Sequence, residues 1–159
     1  MLILDVNKMK DLIILGAGGE ALEIVQVTKL LNKINQEWNV IGFLDDNMNL
    51  TGKEISGIKV LGSIKDSKNY PNSYFISSIG HPDRPILRKE VRDKVPFDDN
   101  RFAVIIHPSA VICDTANLGY GCFIQANCTI STNSVIGNNV LMSYGASVGH
   151  ESEIGQDSV

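Results

Sequence analysis

The chain has only three cysteines, no excess of positive charge and no apolar run long enough to cross a membrane. Each shortage removes a class of protein. An odd set of thiols, Cys113, Cys122 and Cys128, all in the last third of the chain, points to free buried thiols rather than a disulfide framework or a metal site. A net charge of −4 supports neither nucleic acid nor an anionic membrane as a partner. The first residues lack a basic segment, an apolar core and a small-residue cleavage site, so the chain reads as cytoplasmic. Residues 1–9 read as an extension, because Met9 directly precedes the first recognisable element. No stretch rich in Gly, Ser or Pro separates one part from another, so any domain boundary is expected to be tight. What is present, 43% hydrophobic and 20% charged residues, fits one sizeable core or two small ones.

The strongest pattern lies at the C-terminal end, where an aliphatic residue recurs at every sixth position: Ile112, Leu118, Ile124, Ile130, Ile136, Met142, Val148 and Ile154. Two places before each stands a small or short residue, and Gly119, Gly137, Gly149 and Gly155 follow directly after four of them. A helix cannot keep that period on one face, and an ordinary strand repeats every second residue. A hexapeptide period suits a parallel β-helix, in which each hexad lays one short strand on one wall and then turns. With three hexads to a coil, Ile112, Ile130 and Val148 share a wall, as do Leu118, Ile136 and Ile154, while Ile124 and Met142 form the third. The glycines are expected to relax the backbone at the turns.

The N-terminal part has another logic. Asp11–Leu15 reads as a buried strand running into Gly16-Ala17-Gly18-Gly19-Glu20-Ala21, and an amphipathic helix is predicted from about Gly19 to Asn32. A second strand, Val40–Leu44, ends in Asp45-Asp46. Glycines at that turn let a backbone approach a ligand, and the helix start offers unpaired N–H groups to a phosphate. Carboxylates at the tip of the second strand can accept hydrogen bonds from ribose hydroxyls. Gly16, Gly18, Gly19, Asp45 and Asp46 are therefore candidate substrate-binding residues, against the plainer reading of a glycine turn that only packs helix on strand. Residues 50–61 read as an irregular or hairpin segment, Tyr74–Ile79 as a third strand ending at Gly80-His81-Pro82, and Ala103–Ile106 as a fourth. Arg84, Arg88, Lys89 and Arg92 form a basic helix face, generally solvated, from which Arg84 or Arg88 could reach a phosphate. About four parallel strands make one mononucleotide-binding half, which argues against an NAD-dependent dehydrogenase.

The hexads resemble those of the hexapeptide-repeat acyltransferases. Together with Phe43-Leu44-Asp45-Asp46-Asn47, the Ile79-Gly80 strand end followed by Arg84 or Arg88, the Ile106-His107 junction and Gly149-His150-Glu151-Ser152-Glu153-Ile154-Gly155, residues 10–159 resemble the NeuD or PglD sugar O- and N-acetyltransferases. The resemblance implies a Rossmann-like α/β domain at residues 10–106 and a left-handed parallel β-helix at 107–159. It implies a homotrimer that takes acetyl-CoA as co-substrate between subunits and a nucleotide sugar on the first domain, with Gly80 beside that substrate. The expected function is N-acetylation of a nucleotide-linked amino sugar in bacterial surface glycan biosynthesis. O-acetylation of a sialic-type sugar, or a non-catalytic binding or trimerising module, are the alternatives. His150 is the expected catalytic base, since its hexad position points it outward, and Glu151 its orienting partner; no metal is expected. His107 and His81 are read as structural or substrate-contacting, and Tyr144 has no assigned role. Glu20 departs from the family pattern, which often has His or a small or neutral residue there. The sequence stops one residue before the next aliphatic position, so a truncated β-helix with reduced coenzyme A contacts is expected.

Overall fold

A computed structural model describes residues 9–81, 83–84 and 86–159. The expected N-terminal extension, apart from Met9, and Pro82 of the third strand's end lie outside them. Leu12 to Leu15 form a continuous apolar run with no exposed surface in β1 (Lys10–Leu15), as a strand covered on both faces requires. Helix α1 (Gly19–Ile34) buries Ala21, Ile24, Val25, Val27 and Thr28, a helical stripe turned to the sheet. Asn32 then fixes the return of the chain: its side chain accepts from the Glu37 and Trp38 amides and donates to the Trp38 carbonyl. β2 (Trp38–Leu44) lies parallel to β1. β3 (Glu54–Ile55) and β4 (Ile58–Gly62) form a hairpin across Ser56 and Gly57, which both have positive φ.

β4 also pairs in parallel with β2, and β5 (Tyr74–Ser77) pairs in parallel with β1, giving the order β3-β4-β2-β1-β5. The fourth parallel strand is therefore β4, the second strand of the hairpin in the segment read as irregular or hairpin, and not Ala103–Ile106. That later segment only touches the sheet, through a bridge from Phe102 to Phe75 and a bond from the Ala103 amide to the Phe75 carbonyl. Its last two residues, β6 (Ile105–Ile106), pair instead with β9 (Phe123–Ile124). The pull is hydrophobic: Ile106 stands in phase with the hexads and packs into their interior.

From β6 onward the chain is a coil of two-residue strands stacked in three walls. The first wall holds β7 (Val111–Ile112), β10 (Thr129–Ile130) and β13 (Ser147–Val148); the second holds β8 (Asn117–Leu118), β11 (Val135–Ile136) and β14 (Glu153–Ile154). The third holds β6, β9 and β12 (Leu141–Met142). This is the architecture of the parallel β-helix expected from the period, left-handed as the resemblance implies, with each aliphatic residue above its predicted neighbour. Cys122, Cys128 and Val140 fill the corners of its interior.

The glycines act differently from expectation. Positive φ falls not on Gly119 or Gly137 but two places later in each hexad, at Gly121, Asn127, Asn133, Asn139, Gly145, Glu151 and Asp157. Gly119 and Gly137 are needed for space: a Cβ on either would lie 2.6 Å from a backbone nitrogen of the next coil, Asn138 or Gln156.

What joins the halves is the third wall. Its outward residues Ile105, Phe123 and Leu141 are buried with Leu12, Ile14, Ala21 and Ile24 in one apolar cluster, so the wall covers the sheet beside α1. The outward residues of the other walls, such as Val111, Thr129, Val135 and Ser147, stay exposed. Helix α2 (Ile86–Arg92) covers the opposite sheet face through Val91, which packs in a second cluster with Ile13, Leu15 and Phe75. No helix among the described residues is long and apolar enough to cross a membrane.

Candidate active site

The glycine turn follows from the end of β1. Gly16 has φ +97, and a Cβ there would stand 2.6 Å from Ser78 Oγ, so this glycine is demanded by the join between β1 and the exit of β5. Its amide donates to the Leu44 carbonyl, and the Ala17 amide donates to Asp45 Oδ2 at 2.9 Å. Asp45 Oδ1 accepts from the Asn47 amide. Asp45 thus ties its own loop to the glycine turn, while a carboxylate's remaining lone pairs stay available to a hydroxyl. Gly18 and Gly19 differ from Gly16: both are exposed and have nothing within 4 Å of a notional Cβ, which leaves open space before the first turn of α1. No side chain caps that turn.

Gly80 stands on the same edge, across from the turn, since the Ser78 amide and hydroxyl both donate to the Leu15 carbonyl. Its neighbours on the other side are Leu141 and Val159 of the coil. The fold therefore gathers Gly16, Gly18, Gly19, Asp45 and Gly80 along the C-terminal edge of the parallel strands. Asp46 turns away. It accepts from the Ile64 amide at 3.0 Å and from Lys94 Nζ at 2.6 Å. Partial burial alone would raise its pKa, but the Lys94 and Ile64 hydrogen bonds outweigh that and hold the carboxyl below its usual range.

Sequence reasoning did not foresee the junction between α1 and the coil. Glu20 accepts from the Gln125 side-chain amide, Gln125 accepts from the Tyr144 amide, and the Tyr144 hydroxyl donates to Glu23 Oε2 at 2.5 Å. Burial pushes the Glu20 carboxyl up despite the Gln125 bond. The hydrogen bond to Glu23 pushes the Tyr144 phenol up to about 12. A signal for this lay in Gln125 and Tyr144, polar residues at the corner that adjoins the third wall.

Arg88 was also misplaced. Rather than standing on a solvated basic face, it is fully buried. Its Nε donates to the Asn139 carbonyl at 2.8 Å, Nη2 to Asn139 Oδ1 at 3.0 Å, and Nη1 to the Ile79 carbonyl at 2.7 Å. Burial draws its pKa down to about 10, with Asp157 opposing.

His150 and Glu151 sit elsewhere, on the corner between the first and second walls, opposite the wall covered by the α/β part. His150 is 76% exposed in its side chain, with Nδ1 3.7 Å from Glu151 Oε2. Glu151 holds φ +55, where the other corners carry Gly, Asn or Asp. The remaining histidines do other things. His107 Nδ1 accepts from the Ser109 amide and shapes the first turn of the coil. His81 Nδ1 accepts from the Asp83 amide on the surface.

A family described as the PglD N-terminal domain matches residues 11–95. Similar solved structures include the acetyltransferase domain of PglB from Neisseria gonorrhoeae, at 22% identity and a TM-score of 0.77, covering 93% of this chain and 69% of that one. The same domain is also known in complex with acetyl coenzyme A. Perosamine N-acetyltransferase from Caulobacter crescentus, in complex with CoA and GDP-perosamine, matches at 24% identity and a TM-score of 0.70, covering 94% and 68%. WeeI from Acinetobacter baumannii matches at 19% identity and a TM-score of 0.72, again covering 94% and 68%. No curated protein sequence matches significantly.

Proposed function

This chain belongs to the PglD family, whose N-terminal domain it carries, and from that premise we propose that it is a sugar N-acetyltransferase that moves acetyl from acetyl-CoA to a nucleotide-linked amino sugar. The observation that carries the reading is the pairing of two features: an open glycine turn at a sheet's C-terminal edge, and an outward histidine beside a carboxylate on a hexapeptide coil. The similar folds bound to acetyl coenzyme A and to CoA with GDP-perosamine support the choice of both substrates.

The chemistry asks little more. The sugar amine adds to the thioester carbonyl as the His150 imidazole takes its proton, and Glu151 orients the ring and favours the imidazolium. Collapse of the adduct breaks the carbon–sulfur bond, and the imidazolium returns the proton to the departing thiolate. Products are the amide and free CoA. Gly18, Gly19 and Gly80 would line the nucleotide, with Asp45 on a ribose hydroxyl, and Asp46 holding the loop from behind.

One chain cannot unite these parts, because its α/β domain covers the wall opposite His150. A neighbouring copy must present the sugar, which is why we place the protein in a homotrimer with acetyl-CoA in the cleft between coils. We place the reaction in the cytoplasm and in surface glycan biosynthesis, the pathway class that would consume such a product.

The test is thiol release from acetyl-CoA with a panel of nucleotide-linked amino sugars beside sialic-type sugars. Turnover is expected with an amino acceptor only, and His150→Ala should lower it by about 10²–10⁴-fold while the melting temperature holds. Turnover with hydroxyl acceptors alone would replace N- by O-acetylation. Full activity of His150→Ala would remove the base assignment.

A further inference from the structure

Among the described residues Arg88 is the largest fully buried side chain, and no carboxylate among them bonds to it directly. Its guanidinium is satisfied by oxygens from two different units. Asn139, at a coil corner, supplies its carbonyl and its side-chain oxygen; the exit of β5 supplies the Ile79 carbonyl, with Ser77 more distant at 3.5 Å. Asn139 is held in turn, since its Nδ2 donates to Asp157 Oδ1 at 2.7 Å. A polar chain therefore runs from the coil through Arg88 to the strand end beside the glycine turn. It continues through packing, because Ile79 lies against Gly16.

The peptide between Ile79 and Gly80 is planar and trans, so its C=O and N–H point in opposite directions. With the Ile79 carbonyl drawn inward onto Arg88, the Gly80 N–H is turned outward, to the exposed side of the edge. That amide has no acceptor among the described residues. Resting on the sugar-nucleotide reading above, we propose that Arg88 is a positioning residue: it locks the Ile79–Gly80 peptide to the coil so that the Gly80 N–H is presented to the nucleotide's diphosphate.

A lysine offers one point of donation and cannot span Asn139 and Ile79 together. Arg88→Lys in the full-length chain should therefore weaken UDP or GDP, measured by calorimetry, about tenfold, the loss of roughly one charge-assisted hydrogen bond. The KM for acetyl-CoA should stay within about twofold, since that site lies on another face; a purely structural role would lower the active fraction without moving either constant selectively. Asn139→Gly is the second variant. It removes the Oδ1 acceptor yet suits the φ of +57 at that corner, and should weaken the nucleotide about threefold. It decides the matter if Arg88→Lys does not fold. Unchanged nucleotide affinity in the folded variants, or equal loss for both substrates, overturns the role of Arg88 alone. If the wild-type chain binds neither UDP nor GDP, the sugar-nucleotide reading falls and the role of Arg88 with it.

Discussion

At a coil corner the backbone turns through a left-handed conformation that only Gly, Asn and Asp adopt at low cost. Six of the seven such corners from 121 to 157 obey this, and Glu151 does not. The exception sits beside the outward histidine, which is where a strained residue is retained for its side chain. Glu151→Asn is thus expected to raise unfolding free energy by about 0.5–1 kcal/mol in urea titration while lowering kcat, a trade of activity for stability. Glu20 makes a second residue-scale case. Burial raises its folded pKa, so the ionised form weakens the fold at neutral pH, and that penalty disappears as pH falls below the ordinary value of 4.5. Gln125, Glu23 and Arg88 are the groups that face it, and Gln125 can donate equally to an amide oxygen. Glu20→Gln should therefore raise the melting temperature by about 1–2 °C at pH 7, after allowance for solvent screening, and by nothing near pH 4.

At the scale of an element, each two-residue strand has one inward and one outward side chain, and the outward one decides what the wall faces. Ile105, Phe123 and Leu141, one per coil, are apolar and buried, whereas Val135 on the second wall is 43% exposed. Phe123→Ala should cost about 3–5 kcal/mol in chemical denaturation, because it opens the core shared by sheet and coil; Val135→Ala should cost under about 1 kcal/mol in the isolated subunit. From Ile112 onward the interior set was readable from the period of six. The docking wall was written in the same stretch at a period of eighteen, and went unread because only one residue in three of the outward set carries it. The sheet's fourth parallel strand was sought at 103–106 and lies at 58–62, in the segment read as irregular or hairpin, for a related reason. Both are short apolar runs, and whether such a run joins a sheet or a coil depends on which partner edge is free.

For the whole molecule, the decisive fact is that the glycine-turn edge and His150 lie on opposite sides of the coil. A site assembled from two copies predicts complementation. Gly18→Trp should fold, since that position faces open space and has φ −87, but should block the nucleotide. His150→Ala should bind nucleotide without turnover. Each alone is expected to be inactive, and refolding the two together should restore thiol release, whereas a site complete within one chain would leave the mixture dead. Light scattering on the same mixture would report the assembly state.

The period of hexads, the order of strand, glycine turn and helix, and the outward placing of His150 beside Glu151 are local properties. They depend on residues close in sequence and on side-chain type, so the sequence by itself determined them. Which wall meets the sheet, that Arg88 turns inward to bind the coil while Asp46 turns away from the glycine turn, and that His150 stands remote from the glycine turn of its own chain depend on contacts between distant segments. Those were decided only when burial of Ile105, Phe123 and Leu141 selected one packing of the two units.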